Sequence, residues 1–349
     1  MNATADTIYH SLREKLSDIV PDAELRYKSE LAERINALKT EKNAVILGHN
    51  YMEAALFNSI PDYTGDSLAL CREAATTDAD IIVFCGVRFM AETAKILNPK
   101  KKVLIPAAKA GCSLAESITA EDVRALKAKY PGVPVVTYVN TYADVKAESD
   151  ICCTSGNAAA VVESMDSDRV IFLPDEYLAA NVAAETQKQI IFPTRTPRDQ
   201  TSKEASPMEY ELIGWHGRCE VHERFTVEDI RMVRKQFPDV LVLAHPECSP
   251  EVVAASDFSG STTAMIRHVQ ENGAPRYLLL TECSMGDNVA AANKEKEMVR
   301  LCSIRCPHMN EITMEETLQC LEQERYEITL DEELRQRAFR SVQRMIEIG

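Results

Sequence analysis

One cysteine-bearing cassette is written three times in this chain, and that repetition constrains the fold more than any other feature. Cys112, Cys219 and Cys306 head the stretches SLAESITAEDVRALKAKYP, EVHERFTVEDIRMVRKQFP and PHMNEITMEETLQCLEQER. An apolar residue follows each cysteine by six positions (Ile118, Phe225, Ile312) and a threonine by seven (Thr119, Thr226, Thr313). Three residues beyond each threonine stands Asp122, Asp229 or Glu316, the spacing of a capping box at a helix start. Repeats of this kind predict three similar units about a pseudo-threefold axis, where equivalent positions converge. Three thiolates at one point make a metal or cluster site.

The repetition extends upstream of the cassettes. Each copy opens on an apolar strand that ends in polar residues: AVILGHNY (44–51), VVTYVN (135–140) and VLVLAHPE (240–247). Small polar residues then open a helix at 65–74, 154–164 and 259–269, and a second apolar strand follows at 81–86, 170–175 and 277–282. Alternating strands and helices predict parallel sheets covered by helices, so the expected fold is α/β: three repeated α/β/α domains with the active site at their centre. The expected boundaries are 1–39 for N-terminal helices, 40–131, 132–238 and 239–325 for the repeats, and 326–349 for a C-terminal helix. The cysteines are 107 and 87 residues apart, and the surplus falls in 186–211, rich in Pro, Thr and charge. That stretch reads as an insertion forming a surface loop, with a lid as its functional alternative.

Composition narrows the class. With 349 residues, 45% hydrophobic and 27% charged, the chain suits a globular protein of two or three domains. A net charge of −15 argues against nucleic acid or an anionic membrane as partner, because either would be repelled. No apolar run approaches the ~18 residues of a membrane span, and the N-terminus MNATADTIYHSLREKL lacks a signal-peptide core, so a cytoplasmic location is expected. Eleven cysteines in such a chain do not make a disulfide framework. Cys71 and Cys320 sit in helical apolar surroundings and read as packing residues.

The chemistry should gather at strand ends and helix starts, where parallel sheets bind ligands. The first strands deliver His49 with Tyr51, Tyr138 with Asn140, and His245 with Glu247. Histidine moves protons near neutrality, glutamate beside a cation serves as a base, and tyrosine donates. Ser67, Ser155, and Ser261 with Thr262 open the following helices, either as simple N-caps or as anion-binding hydroxyls. His222, three after Cys219, can reach a ligand held at the thiolates, whereas His216 and His308 have no repeat logic. Three thiolates could hold an iron–sulfur cubane by three corners with one iron open, or a single zinc, or be core residues kept by duplication. Cys302, four before Cys306, has no counterpart in the other copies and reads as a bystander or half of a regulatory thiol pair.

Taken together, HNY (49–51), GDSL (65–68), GCSLAE (111–116), TYVNTYADVKAESDICCTSGNA (137–158), CEVHERF (219–225), HPEC (245–248) and CPHMNEIT (306–313) resemble the quinolinate synthase family, in order from about residue 40 to 320. The resemblance implies condensation of iminoaspartate with dihydroxyacetone phosphate to quinolinate, with loss of phosphate and two waters, for NAD biosynthesis. It implies one 4Fe-4S cluster on Cys112, Cys219 and Cys306, with the fourth iron open to substrate. It also implies that His49, Ser67, Tyr138, Asn140, Ser155, His245, Glu247 and Thr262 contact substrate or product, and that Tyr51, His222 and Glu247 are nearest the proton transfers. An aspartate oxidase or dehydrogenase is the implied supplier of iminoaspartate. The chain departs from the family in its longer 186–211 segment and in CxxxC where some members carry CxxCxxC. A cluster-dependent hydratase and a non-enzymatic cluster sensor or carrier are the competing classes.

Overall fold

The structure is a computed structural model describing residues 4–193, 210–301 and 304–348. Cys302 and most of the 186–211 stretch lie outside the described residues, and with them the regulatory-thiol and lid readings.

Three parallel sheets carry the architecture. The first takes β1 (Ala44–His49), β2 (Tyr63–Gly65), β3 (Ile81–Cys85) and β4 (Lys102–Leu104) in the order β2-β1-β3-β4. The second contains β5 (Val135–Tyr138), β6 (Ile151–Cys153), β7 (Val170–Leu173), β8 (Ile190–Ile191) and β9 (Leu212–Ile213), ordered β6-β5-β7-β9-β8. The third repeats the first with β10 (Leu241–Ala244), β11 (Phe258–Ser259), β12 (Arg276–Leu280) and β13 (Glu297–Val299), ordered β11-β10-β12-β13. Every pairing between these strands is parallel, and one isolated antiparallel bridge joins Leu104 to Glu327. The three-unit α/β expectation therefore holds. The 186–211 stretch is not wholly loop, because β8 pairs in register with β9 at its far end and adds an edge strand that the other sheets lack.

Both faces of each sheet are covered, as the unbroken apolar strands require. In the third unit Val242, Ala244, Leu278 and Leu280 point into one apolar cluster, while Leu243 and Tyr277 point into another. The second sheet does the same, with Val136 and Phe172 on one side and Val135, Ile171 and Leu173 on the other. Alternate residues of a strand face opposite ways, so two layers of helix are needed.

The terminal helices complete that covering. Helices Ala5–Leu16, Asp22–Glu41 and Glu332–Ile348 form in the terminal segments expected to be helical. The last buries Ala338, Ser341, Val342 and Met345, a stripe at helical spacing. The cassette helices start at their threonines. Thr119 and Thr226 each accept a backbone N–H from the aspartate three residues on, whose carboxylate returns a bond to the threonine N–H. Thr313 makes only the forward half, because the Glu316 carboxylate is drawn to Arg325.

Candidate active site

The central strand of each unit ends at a shared cavity. β1 ends on His49, β5 on Tyr138, and His245 directly follows β10. One cavity is lined by His49, Tyr51 and Ser67 from the first unit, by Tyr138, Asn140 and Ser155 from the second, and by His245, Glu247 and Thr262 from the third. Cys112, Cys219, His222 and Cys306 line it too. Residues more than two hundred positions apart in sequence thus meet at one place, as repeat symmetry requires.

The cysteine loops are tied to one another. The Ser113 hydroxyl donates to the Arg218 carbonyl at 3.3 Å and accepts the Glu220 N–H at 3.3 Å, joining the first two loops. Glu220 and His308 approach to 3.1 Å and join the second to the third. His308, which the repeat did not single out, is therefore part of the cavity wall, whereas His216 pairs with Glu176 at 3.5 Å away from it. Space between the loops is tight: a Cβ on Gly217 would fall 2.4 Å from the Ser117 hydroxyl oxygen and 2.6 Å from the Pro174 carbonyl oxygen.

Each of the three sulfurs receives the same backbone treatment. Cys112 accepts N–H groups from Leu114 and Ala115, Cys219 from Val221 and His222, and Cys306 from His308 and Met309. The donors are in every case two and three residues further on, where a short helical turn begins at Ser113–Glu116, His222–Arg224 or Met309–Glu311. Burial pushes all three thiols up, Cys306 to about 11; the charge of Glu247 raises Cys112 and Cys219 further, with smaller contributions from Cys306 on Cys112 and from Cys112 on Cys219. Amides aimed at sulfur favour the thiolate, and a cation bound there would supply the remaining stabilisation. The donor set fits a metal or iron–sulfur centre. Cys71, Cys85, Cys152, Cys153, Cys248 and Cys320 are by contrast buried in the cores, which bears out the packing role read for Cys71 and Cys320.

His49 and His245 share one device. The Nδ1 of His49 accepts the Tyr51 N–H at 3.2 Å, and that of His245 accepts the Glu247 N–H at 3.3 Å. In a neutral ring this leaves Nε2–H as a donor, and the His245 Nε2 lies 3.2 Å from the Ser155 hydroxyl. Burial lowers His49 to about 4 and His245 to about 3, so both rings are neutral at pH 7.

Glu247 is the centre of the polar network. Its Oε1 accepts from Tyr138 at 2.6 Å and from Asn140 at 3.3 Å, and its Oε2 is 2.7 Å from His222 Nδ1. Burial alone would push this carboxyl up, but the His222 ring, His245 and the Tyr138 hydroxyl outweigh it and hold it below the usual range. Cys219 Sγ, 3.2 Å from His222 Nδ1, completes a Cys219–His222–Glu247 set within 4.8 Å that could also grip a single ion.

The helix-opening hydroxyls divide by what they cap. Ser67 is free of capping because Asp66 caps its helix, and the helix after Ser155 starts at Asn157. Ser261 is a true N-cap, donates to Asp66 at 3.0 Å, and is not brought to the cavity wall. Thr262 accepts there from the buried Asn50 at 2.9 Å. Sequence reasoning missed Asn50, Asp66 and Thr281, as well as Glu282, a buried cavity residue whose carboxyl is raised by burial to about 7. Glu282 occupies in the third unit the place of Asp175 in the second, a strand-end acid that caps the next helix. That repeat signal was present in VIFLPD and YLLLTE.

Strand-end histidines, a buried glutamate and three thiols on one cavity wall make a candidate α/β enzyme site whose donors fit a metal or cluster. The comparisons narrow that class. A family model described as "Quinolinate synthetase A protein" matches residues 33–347. The chain is 52% identical over 337 residues to "Quinolinate synthase 2" of Mesorhizobium japonicum, covering 97% of both chains. It is 52% identical over 338 residues to the "Quinolinate synthase" of Agrobacterium fabrum, covering 97% of this chain and 91% of that one, and 50% identical over 339 residues to that of Caulobacter vibrioides, covering 96% and 86%. The chain belongs to the quinolinate synthase family.

Proposed function

We propose that the chain condenses iminoaspartate with dihydroxyacetone phosphate to give quinolinate, releasing phosphate and two waters, in NAD biosynthesis in the cytoplasm. The observation that carries the reading is the set of three repeat-related thiols, each served by two backbone amides, facing the His49, His245 and Glu247 group across one cavity. Cys112, Cys219 and Cys306 would hold a 4Fe-4S cluster, which when bound supplies an open iron as a Lewis acid for substrate oxygen. No described helix is long and apolar enough to cross a membrane.

The chain's own groups account for the rest of the chemistry. Both substrates are anions, and an acidic protein must neutralise them locally. The Nε2–H groups of His49 and His245 donate to carboxylate oxygens without carrying charge, and the Ser67, Ser155 and Thr262 hydroxyls stand at helix starts where backbone amides add positive potential. Asn140 and Tyr138 hold Glu247 ionised and aimed, so it can take a proton from a carbon next to a carbonyl or imine. Tyr51 is on the same wall as the other proton-transfer group, and His222 connects it to Glu247. An aspartate oxidase or dehydrogenase would supply the unstable imine.

The test is turnover by anaerobically prepared protein. Quinolinate and phosphate should appear together only when dihydroxyacetone phosphate is added, whereas a hydratase would ignore it and a cluster carrier would turn over nothing. Cys306→Ser should abolish both the cluster and turnover. Glu247→Gln should keep the cluster and lose about 100-fold or more in turnover.

A further inference from the structure

Two of the site turns are built alike and held alike. After β1, the Tyr51 N–H goes to His49 Nδ1 at 3.2 Å and the Met52 N–H to the His49 carbonyl at 3.0 Å. After β10, the Glu247 N–H goes to His245 Nδ1 at 3.3 Å and the Cys248 N–H to the His245 carbonyl at 2.9 Å. An asparagine on a helix of another sheet grips each turn. Asn288, in helix Cys283–Ala292 after β12, donates from Nδ2 to the carbonyls of Asn50 at 3.1 Å and Met52 at 2.9 Å, the two that flank Tyr51. Asn181, in helix Glu176–Glu185 after β7, donates to the carbonyls of Pro246 at 2.8 Å and Cys248 at 2.9 Å, the two that flank Glu247. Both asparagines stand six residues past the acid that caps their helix, 175 to 181 and 282 to 288. The turn after β5 is bracketed too: fully buried Lys146 donates to the Val139 carbonyl at 2.9 Å and to that of Thr141, on either side of Asn140.

Two carbonyl oxygens facing one side-chain amide require its NH2 end, which has two hydrogens to give. The Oδ1 of Asn288 is buried and accepts from no described residue. An apolar side chain would avoid that cost, so the amide stands there for its two donors. We propose that Asn288 and Asn181 are positioning residues: each fixes both peptide planes around Tyr51 or Glu247, and with them the direction in which that side chain and its histidine enter the cavity. The inference rests on the functional reading above. With both carbonyls pinned, the N–H of Tyr51 or Glu247 keeps its histidine Nδ1 occupied, so the Nε2–H stays aimed at substrate. Freed of the bracket, the turn can rotate and both of its site groups lose aim together.

The experiment compares wild type, Asn181→Ala and Asn288→Ala as full-length, anaerobically prepared protein. In Asn181→Ala, at wild-type iron and sulfide content, kcat should fall about tenfold or more. In a Glu247→Gln background the same change should cost about threefold or less, because the group it aims is already spent. Hydrogen exchange followed by mass spectrometry gives a readout independent of turnover. Asn181→Ala should speed exchange in the 245–248 turn at least about tenfold and leave the 49–52 turn at its wild-type rate, and Asn288→Ala should do the reverse. Each variant tests the bracket on its own, should the other fail to fold. Wild-type kcat in either folded variant, an equal loss with and without Glu247, or exchange that quickens in both turns alike overturns the proposal. A wild-type chain that makes no quinolinate defeats the functional reading instead, and the exchange rates still decide the bracket.

Discussion

Replacing Tyr138 by Phe removes one hydroxyl and tests how the site holds its carboxylate. The bond is short, 2.6 Å to Glu247 Oε1, and both partners are almost sealed from water, Tyr138 at 5% and Glu247 at 3% exposure. A hydrogen bond to a charged group contributes about 1.5–3 kcal/mol, and the lost donor leaves Oε1 only the longer Asn140 contact. Divided by about 1.4 kcal/mol per pKa unit, that raises the Glu247 carboxyl by roughly 1–2 units. The carboxyl starts below its usual range because His222 and His245 also face it, so it stays ionised at pH 7. The loss therefore falls on aim rather than on charge. We expect kcat to drop by about 10- to 100-fold at unchanged cluster content, and urea denaturation of the cluster-free protein to show about 1–3 kcal/mol less stability. Adding Asn140→Ala should cost more in Tyr138→Phe than in wild type, since each donor supports the same oxygen. Tyr138→Phe with wild-type turnover and an unshifted urea midpoint would refute the claim that this bond sets Glu247.

Other consequences are open to the same methods. Thr226→Ala removes the N-cap of helix Val227–Gln236 and should cost about 1 kcal/mol by urea denaturation without changing cluster content. His49→Gln bears on acid stability: the folded pKa of about 4 lies below the ordinary 6.5, so the unfolded chain binds the extra proton and stability is lost as pH falls from 6.5 to 4. Glu282, raised to about 7, titrates in the opposite sense in part of that window, so the effect is read as a difference. Cluster-free His49→Gln should gain on wild type by up to roughly 1.4 kcal/mol for each pH unit below 6. Gly217→Ala forces a methyl group against the Pro174 backbone and should displace the Cys219 loop, seen as lost iron in protein that still folds by circular dichroism.

The fold was legible because duplication prints itself in sequence. The cassette spacing located three units, and the threonine–acid pairs located three helix starts, since both depend on contacts within a few residues. What escaped depends on competing partners, within a unit or across units, that the local motif does not show. Glu316 has the spacing of a capping box, yet Arg325 takes its carboxylate. Ser67, Ser155 and Ser261 look alike in sequence, but Asp66 relieves Ser67 of capping and only Ser261 caps. β8 hides in a polar stretch because an edge strand of two residues has no periodicity to show. Thr281 directly follows an apolar strand and carries no motif, and its contacts exist only once Tyr51 and His222 from other units reach it.

Iron and acid-labile sulfide analysis on protein purified without oxygen, wild type beside Cys112→Ser, Cys219→Ser and Cys306→Ser, meets the central claim most directly. The account predicts equal amounts of iron and sulfide in wild type and the loss of both in every single variant. A wild-type chain that makes quinolinate with no sulfide, or a serine variant that keeps the full complement, would contradict it.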